Sequence, residues 1–329
     1  MNSSFRKISD GLEKFICSGK GVCSSGICRI LILILFSIYI DGPLRAGEED
    51  TVIVLNSDAS INKYSIAQTV FNSKMTRVAL EIDLGSKWLD EEQIKKKIFA
   101  VDPDIIYCIG SKAYQMAYDL RRVRKLVFSL MINWERFPLG KNVYGVSNEL
   151  SQDMQLTMYR YFFPGVNKIG VLYSKAYNVE WFKKTVRHAE EMGIEIIGKP
   201  IRKPEDIKSD LNTILPEVDA LWLIPDPLVI RDIESIKVVF EASDEAKKPV
   251  FAYDKVFATF GASLIMSADV STMGVQAADI VQGILDEKEI AERVHYPAGS
   301  FVILNMKKVE EYDLLFNIDS LDSVNDIIE

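Results

Sequence analysis

Histidine and cysteine are scarce in this chain. Of 329 residues, two are histidine and four are cysteine. None of their spacings matches a zinc knuckle, a Cys-x-x-Cys redox pair or a His-Glu-x-x-His helix. A Gly-x-Ser-x-Gly elbow, a phosphate loop and the glycine fingerprint of a dinucleotide site are missing too. Positive charge is also in short supply. The net charge is −8, and because residues 1–46 are net basic, the rest of the chain is more acidic still. No basic stripe with interleaved aromatics interrupts that field, which argues against nucleic acid as a partner. No apolar run reaches the ~20 residues of a membrane-spanning helix.

The few reactive residues have plain readings. Cys17, Cys23 and Cys28 precede the apolar run Ile30–Ile40, and Cys108 sits in the apolar stretch IIYCIG as a small core hydrophobe. His188 lies on a charged helical stretch and reads as a solvated residue; His295, in RVHYP, reads as part of a connector. Hence no catalytic set, no metal and no cofactor is expected, and the chain is not read as an enzyme.

What is present begins with a leader. Ile30–Ile40 (ILILILFSIYI) follows Arg29 and has the length of a signal-peptide core, with Leu44-Arg45-Ala46 as a weak cleavage point. Export to the periplasm or another extracytoplasmic compartment is the expectation; the alternatives are a buried helix or an uncleaved anchor. Beyond residue 49, short apolar runs alternate with helical patterns. Strands are predicted at 50–56, 77–82, 104–109, 125–131 and 143–146, with helices at 61–74, 89–101 and 112–120 between them. After Asn142–Ser174 the alternation restarts. Strands are predicted at 168–173, 194–198, 220–224, 249–252, 263–268 and 300–305, and helices at 179–192, 204–215, 228–246 and 273–285. In the crossing itself Leu150, Met154, Met158 and Tyr161 are spaced as one apolar helix face. Near-continuous apolar strands alternating with helices mean parallel sheets covered on both faces. Residues 314–329 read as a loosely packed acidic tail.

In such sheets ligands sit beyond the carboxyl ends of the strands. The polar endings are Asn56-Ser57-Asp58, Gly110-Ser111, Asn133-Trp134, Ser147, Ser174, Asp226 and Tyr253-Asp254. Ser111 and Ser174 precede helices, whose free N–H groups suit a carboxylate, although a simple N-cap explains each equally well. Asp226, held between two prolines, and Asp254 could accept from an ammonium or from hydroxyls; the plainer reading is a turn aspartate capping the next helix. Trp134, Tyr173 and Tyr253 could stack on a planar ligand, whereas Tyr107 and Trp222 read as core.

Several segments in order resemble a known group. They are PDIIYCIGSKAYQMA, NVYGVSNELSQDMQL, FFPGVNKIGVLYS, VDALWLIPDPLV and the run 247–285. Together they resemble ABC-transporter substrate-binding proteins of the type I periplasmic-binding fold, in the branch with amino-acid-binding members. The resemblance implies two hinge-linked Rossmann-like lobes, 50–147 plus 270–297 and 148–269 plus 298–313. It also implies a small polar or aromatic ligand between them, a membrane permease as partner, and a monomer. Carried over by motif, the ligand-contacting positions are Ser111, Ser147, Ser174, Asp226, Asp254 and Asp269; strand-end position adds Asn133, Trp134 and Tyr253. The Asp-Pro pair usual after one strand is replaced by Met131-Ile132-Asn133-Trp134, which removes a carboxylate suited to a ligand ammonium. The stretch between Thr51 and Arg77 is also short, trimming a loop that normally reaches over the ligand. A membrane-tethered sensor domain and an enzyme on the same scaffold are the rival readings.

Overall fold

The computed structural model describes residues 51–85, 90–122 and 124–329. The leader, including Cys17, Cys23, Cys28, Ile30–Ile40 and Leu44-Arg45-Ala46, lies outside the described residues. Every position of the first strand, β1 (Val52–Asn56), is buried. Its alternate side chains supply two different cores: Val52 and Val54 face one, Ile53 and Leu55 the other. A strand with no polar face needs a layer of helices on each side.

The first lobe continues with α1 (Asn62–Lys74), β2 (Leu80–Asp83), α2 (Glu91–Val101), β3 (Ile105–Ile109), α3 (Ser111–Tyr118), β4 (Lys125–Ser129) and β5 (Val143–Val146). The second contains α4 (Gln152–Phe162), β6 (Lys168–Ser174), α5 (Lys175–Glu191), β7 (Glu195–Ile201), α6 (Ile207–Ile214), β8 (Ala220–Trp222), α7 (Ile233–Glu245), β9 (Val250–Ala252) and β10 (Leu264–Ala268). The chain then crosses back as α8 (Val270–Leu285) and β11 (Val294–His295). It returns through β12 (Ser300–Asn305), α9 (Met306–Glu311) and β13 (Asp326–Ile328). One sheet runs β11-β5-β4-β3-β1-β2 and is parallel throughout. The other runs β13-β12-β10-β9-β8-β6-β7 and is parallel except where β10 meets β12. Three segments join the sheets: the one after β5, the one between β10 and α8, and the one between β11 and β12. At Gly274 of α8 an added Cβ would lie 2.9 Å from the Ala67 carbonyl oxygen, so the absent side chain lets α8 close against α1. Among the described residues no helix is long and apolar enough to cross a membrane.

Several local expectations shift. Strand β2 begins at Leu80 rather than Arg77. The helix expected over 228–246 starts only at Ile233, where Asp232 caps it by accepting from Ser235 N–H. The crossing helix buries Gln155, Leu156, Tyr159 and Phe162, while Tyr161 is exposed. Of the face read from the sequence, Leu150 is buried and Met154 and Met158 pack against the same core; only Tyr161 lies outside it. His295 belongs to a strand rather than a connector, and His188 is hydrogen-bonded to the Asp153 carboxylate. Residues 314–329 are not a loose tail. Phe316 packs against Phe162 and Phe163 with ring centroids 6.3 and 6.0 Å away, and β13 pairs with β12 from Ile303↔Asp326 to Asn305↔Ile328. The edge of β12 offered unpaired backbone groups, and the tail satisfies them.

Candidate ligand-binding cleft

A cavity of about 500 Å³ lies between the carboxyl edges of the two sheets. The first lobe lines it with the turn Asn133–Arg136 after β4 and with Ser147 at the end of β5; Glu149 and Leu150 follow in the crossing. The second lines it with the first turns of α5 (176–181), with 222–225 after β8 and with Tyr253 after β9; Gln152 and Gln155 of α4 come from the crossing.

The wall on the first lobe is a closed hydrogen-bond ring. Asn133 is left-handed, with φ of 53°, and that turn aims its backbone N–H at Glu149 Oε1, 2.5 Å away. Ser147 Oγ donates to Glu149 Oε2 at 3.0 Å and accepts from the Glu149 N–H and from Trp134 Nε1 at 3.0 and 3.1 Å. Ser147 therefore shapes the wall and holds both the indole and the carboxylate. Behind them, Phe128 tilts against Trp134 at 6.4 Å. Phe128 occupies space that only a glycine at 145 leaves open, since a Cβ there would come within 2.5 Å of its ring. Burial raises the Glu149 pKa, the Asn133 N–H and Ser147 hydroxyl oppose the shift, and the neighbouring Glu135 adds to it.

Arg136 spans the cleft. Its guanidinium donates to Asn178 Oδ1 at 3.1 Å and to the Pro225 carbonyl at 3.3 Å, and sits 4.8 Å from the Tyr177 ring centre. Burial lowers its pKa, opposed by Asp226 and Glu149. On the second lobe Trp222 is a buried floor, set edge-on to Tyr159 and Trp181 at 5.2 and 5.1 Å. Gln152 is 6% exposed, and its Oε1 has no hydrogen-bond partner.

Of the residues picked from the sequence, Asn133, Trp134, Ser147 and Tyr253 come together on this cavity. The other five do not line it. Asp226 is fully buried behind the wall, where Oδ2 accepts from Ser174 N–H, Ser174 Oγ and Asn178 Nδ2 at 2.7, 2.7 and 2.6 Å. Its Oδ1 accepts from the N–H groups of Leu228 and Val229 at 2.9 and 3.3 Å. The same bonds consume Ser174. Ser111 opens α3, but the free donor nearby, Ala113 N–H, is already bonded to Ser57 Oγ at 3.0 Å. Asp254 accepts from Val256 N–H and lies 3.7 Å from Lys63 of the first lobe. Asp269 caps α8 through Ser271, Thr272 N–H and the Thr272 hydroxyl. Tyr173 stacks on Phe182 at 4.3 Å, away from the cavity. Trp222 is core, as its strand position implied, and is also cavity floor. Sequence reasoning missed Glu149, Arg136 and Gln152. Glu149 was within reach of a local signal, two residues past the Ser147 strand end.

A model of the family described as ABC transporter substrate binding protein matches residues 89–324. A tyrosine-binding protein of Clostridioides difficile (strain R20291) is 21% identical over 243 residues, covering 71% of this chain and 66% of that protein. An ABC domain from Streptococcus pneumonia, solved with L-Trp, aligns with a TM-score of 0.56 at 17% identity, covering 84% of this chain and 100% of the other. A ligand-free, open substrate binding protein with adhesive properties from Clostridium difficile aligns with a TM-score of 0.65 at 16% identity, covering 85% and 99%. At these identities the structural likeness speaks for the fold. Two hinge-linked α/β lobes with parallel-dominated sheets are the type I periplasmic-binding fold, and with 89–324 matched the chain belongs to the ABC transporter substrate binding protein family.

Proposed function

We propose that this protein is the extracytoplasmic solute-binding component of an ABC-type uptake system. It takes a small polar or aromatic molecule into the cleft and presents the shut form to a membrane permease. The observation that carries this reading is the cavity of about 500 Å³, walled by both lobes and furnished with indoles, phenols and a few polar groups. Family membership supports binding rather than catalysis. Ile30–Ile40 serves in this reading as an export signal, and the protein acts as a monomer. The first lobe takes 50–147 plus 270–297, supported by β11 in its sheet; 148–269 and 298–313 form the second, which 314–329 joins through β13. Closure needs no chemistry, because a solute touching both lobes favours the state in which they meet.

A thermal-shift screen over amino acids, amines, sugars, nucleosides and carboxylates tests the reading. A solute that binds only the native state at 100 times its Kd adds about 2.7 kcal/mol and raises the melting temperature. If no solute of any class shifts it, the reading fails. Fractionation tests the leader: export with cleavage leaves a mature species lacking residues 1–46, whereas a full-length membrane species supports a tethered sensor.

A further inference from the structure

The start of α5 is left uncapped where it meets the cleft. Ser174 is its N-cap, yet the Ser174 hydroxyl donates to Asp226 Oδ2 at 2.7 Å and makes no bond to the helix. A helix start without a capping side chain leaves backbone N–H groups unsatisfied and carries the positive end of the dipole. Residues 176–178 of that first turn line the cavity. Trp222, edge-on to Trp181 of α5 at 5.1 Å, forms the adjoining floor and is 2% exposed. An indole N–H can only donate. The one on Trp222 meets no acceptor among the described residues and is not sealed off, so it opens on the cavity that this ring lines.

Arg136 reaches the same wall from the first lobe. Both of its bonds across the cleft, to Asn178 Oδ1 at 3.1 Å and the Pro225 carbonyl at 3.3 Å, leave from Nη2. They hold the guanidinium against the first turn of α5, 4.8 Å from the Tyr177 ring centre, with the N–H groups of Nε and Nη1 unused. Asp226 and Glu149 are close enough to favour its charge, but among the described residues no carboxylate forms an ion pair with it. The carboxylates of the lining have other engagements: Glu149 accepts from the Asn133 N–H and the Ser147 hydroxyl, and Glu180 pairs with Lys183 at 2.8 Å. A guanidinium without a counter-ion, an uncapped helix start and a spare indole N–H thus border one cavity, and all of them call for an anionic oxygen.

Resting on the solute-binding reading, we propose that Arg136 is the specificity-determining residue of the cleft and selects aromatic solutes that carry a carboxylate. The carboxylate accepts from the unused N–H groups of Arg136 and from the first turn of α5, while Nη2 keeps its bonds to the second lobe. The ring of the solute lies among Trp134, Trp181 and Tyr253, which border the same space. One anion then touches both lobes at the point where they are already bridged, so its binding favours the shut state.

Calorimetric titration of the whole protein with two acid–amide pairs isolates the carboxylate: tryptophan against tryptophanamide, and indole-3-propionate against indole-3-propionamide. The acid is expected to bind at least about tenfold tighter than its amide, because hydrogen bonds to a charged group are worth more than those to a neutral one. Arg136→Gln keeps an N–H donor and drops the charge. Confirmed as folded by its melting curve, it is expected to bring acid and amide within about threefold of each other. A residue that only bridged the lobes would, on substitution, weaken acid and amide alike; an unchanged ratio in Arg136→Gln therefore overturns the proposal. So does an amide that binds wild type as tightly as its acid. Should neither pair bind, the same comparison is made on the carboxylate that the thermal-shift screen returns. A screen that returns only solutes without a carboxylate sinks the assignment of Arg136 and leaves the solute-binding reading standing; a screen that returns nothing sinks both.

Discussion

Two carboxylates that follow strands of the two different sheets do different jobs. Asp226 follows β8 and Glu149 follows β5, yet only Glu149 faces the cavity. Asp226 is enclosed by five donors from two stretches of chain, 174–178 and 228–229. Removing it strands at least Ser174 N–H and Asn178 Nδ2 in a dry interior, where bonds to a charged acceptor are each worth about 1.5–3 kcal/mol. Asp226→Ala is therefore expected to cost about 3 kcal/mol or more in urea unfolding, with any loss of binding following from lost structure. Glu149 behaves differently because its carboxylate is charged at a cost. Its pKa in the folded state is raised, so between the ordinary glutamate value and the raised one the folded protein holds a proton that the unfolded chain releases. The penalty is present above the raised value and disappears below the ordinary one. The stability of wild type relative to Glu149→Gln is thus expected to rise as pH falls through the raised value. Melting curves against pH check the sign. The charged groups facing Glu149 are Glu135 and Arg136, with the phenol of Tyr253 near them.

At the scale of elements, β5 and β4 show how a backbone choice reaches the site. Gly145 leaves room for Phe128, and Phe128 supports the Trp134 indole. Phe128 is buried in a packed layer and cannot simply turn away. Gly145→Ala should cost about 1–3 kcal/mol as an overpacked core and shift the emission of the displaced indole, which tryptophan fluorescence would read. The C-terminal segment is the second case. Deleting 314–329 strips β13 from β12 and uncovers the Phe162–Phe163 surface that Phe316, Leu321 and Val324 cover. Burial of a large apolar side chain contributes about 1.5–3 kcal/mol, so the deletion should lower the melting temperature sharply while leaving the first lobe's sheet untouched.

For the whole molecule, what matters is how the lobes meet. Among the described residues, side-chain bridges between the lobes include Lys63–Asp254, Arg136–Asn178 and Lys184–Tyr296, and the surroundings of the first two rank them. The Lys63–Asp254 pair is 3.7 Å long with both side chains 35% exposed; such pairs contribute about 0–1 kcal/mol. Arg136 is partly buried and makes two bonds to the second lobe, one to Asn178, whose amide is held by Asp226. Lys63→Ala is expected to change the affinity of a solute found in the screen less than twofold, and Arg136→Ala to weaken it about tenfold because the shut state loses its central bridge. A larger effect from Lys63 than from Arg136 would reverse the ranking.

Strand–helix alternation, the restart after Asn142–Ser174 and the polar ends of apolar strands are local patterns, so the two-lobed α/β architecture is legible in the sequence. Asn133, Trp134, Ser147 and Tyr253 were legible for the same reason: each directly follows a buried strand or its turn. The tertiary structure alone decided which strand ends face the cavity and which are sealed behind its wall. Ser174 meets Asp226 across 52 positions, and Arg136 meets Asn178 across 42. Whether a carboxylate is free or spoken for depends on such distant partners and on the water they exclude, and no local run of residues encodes either.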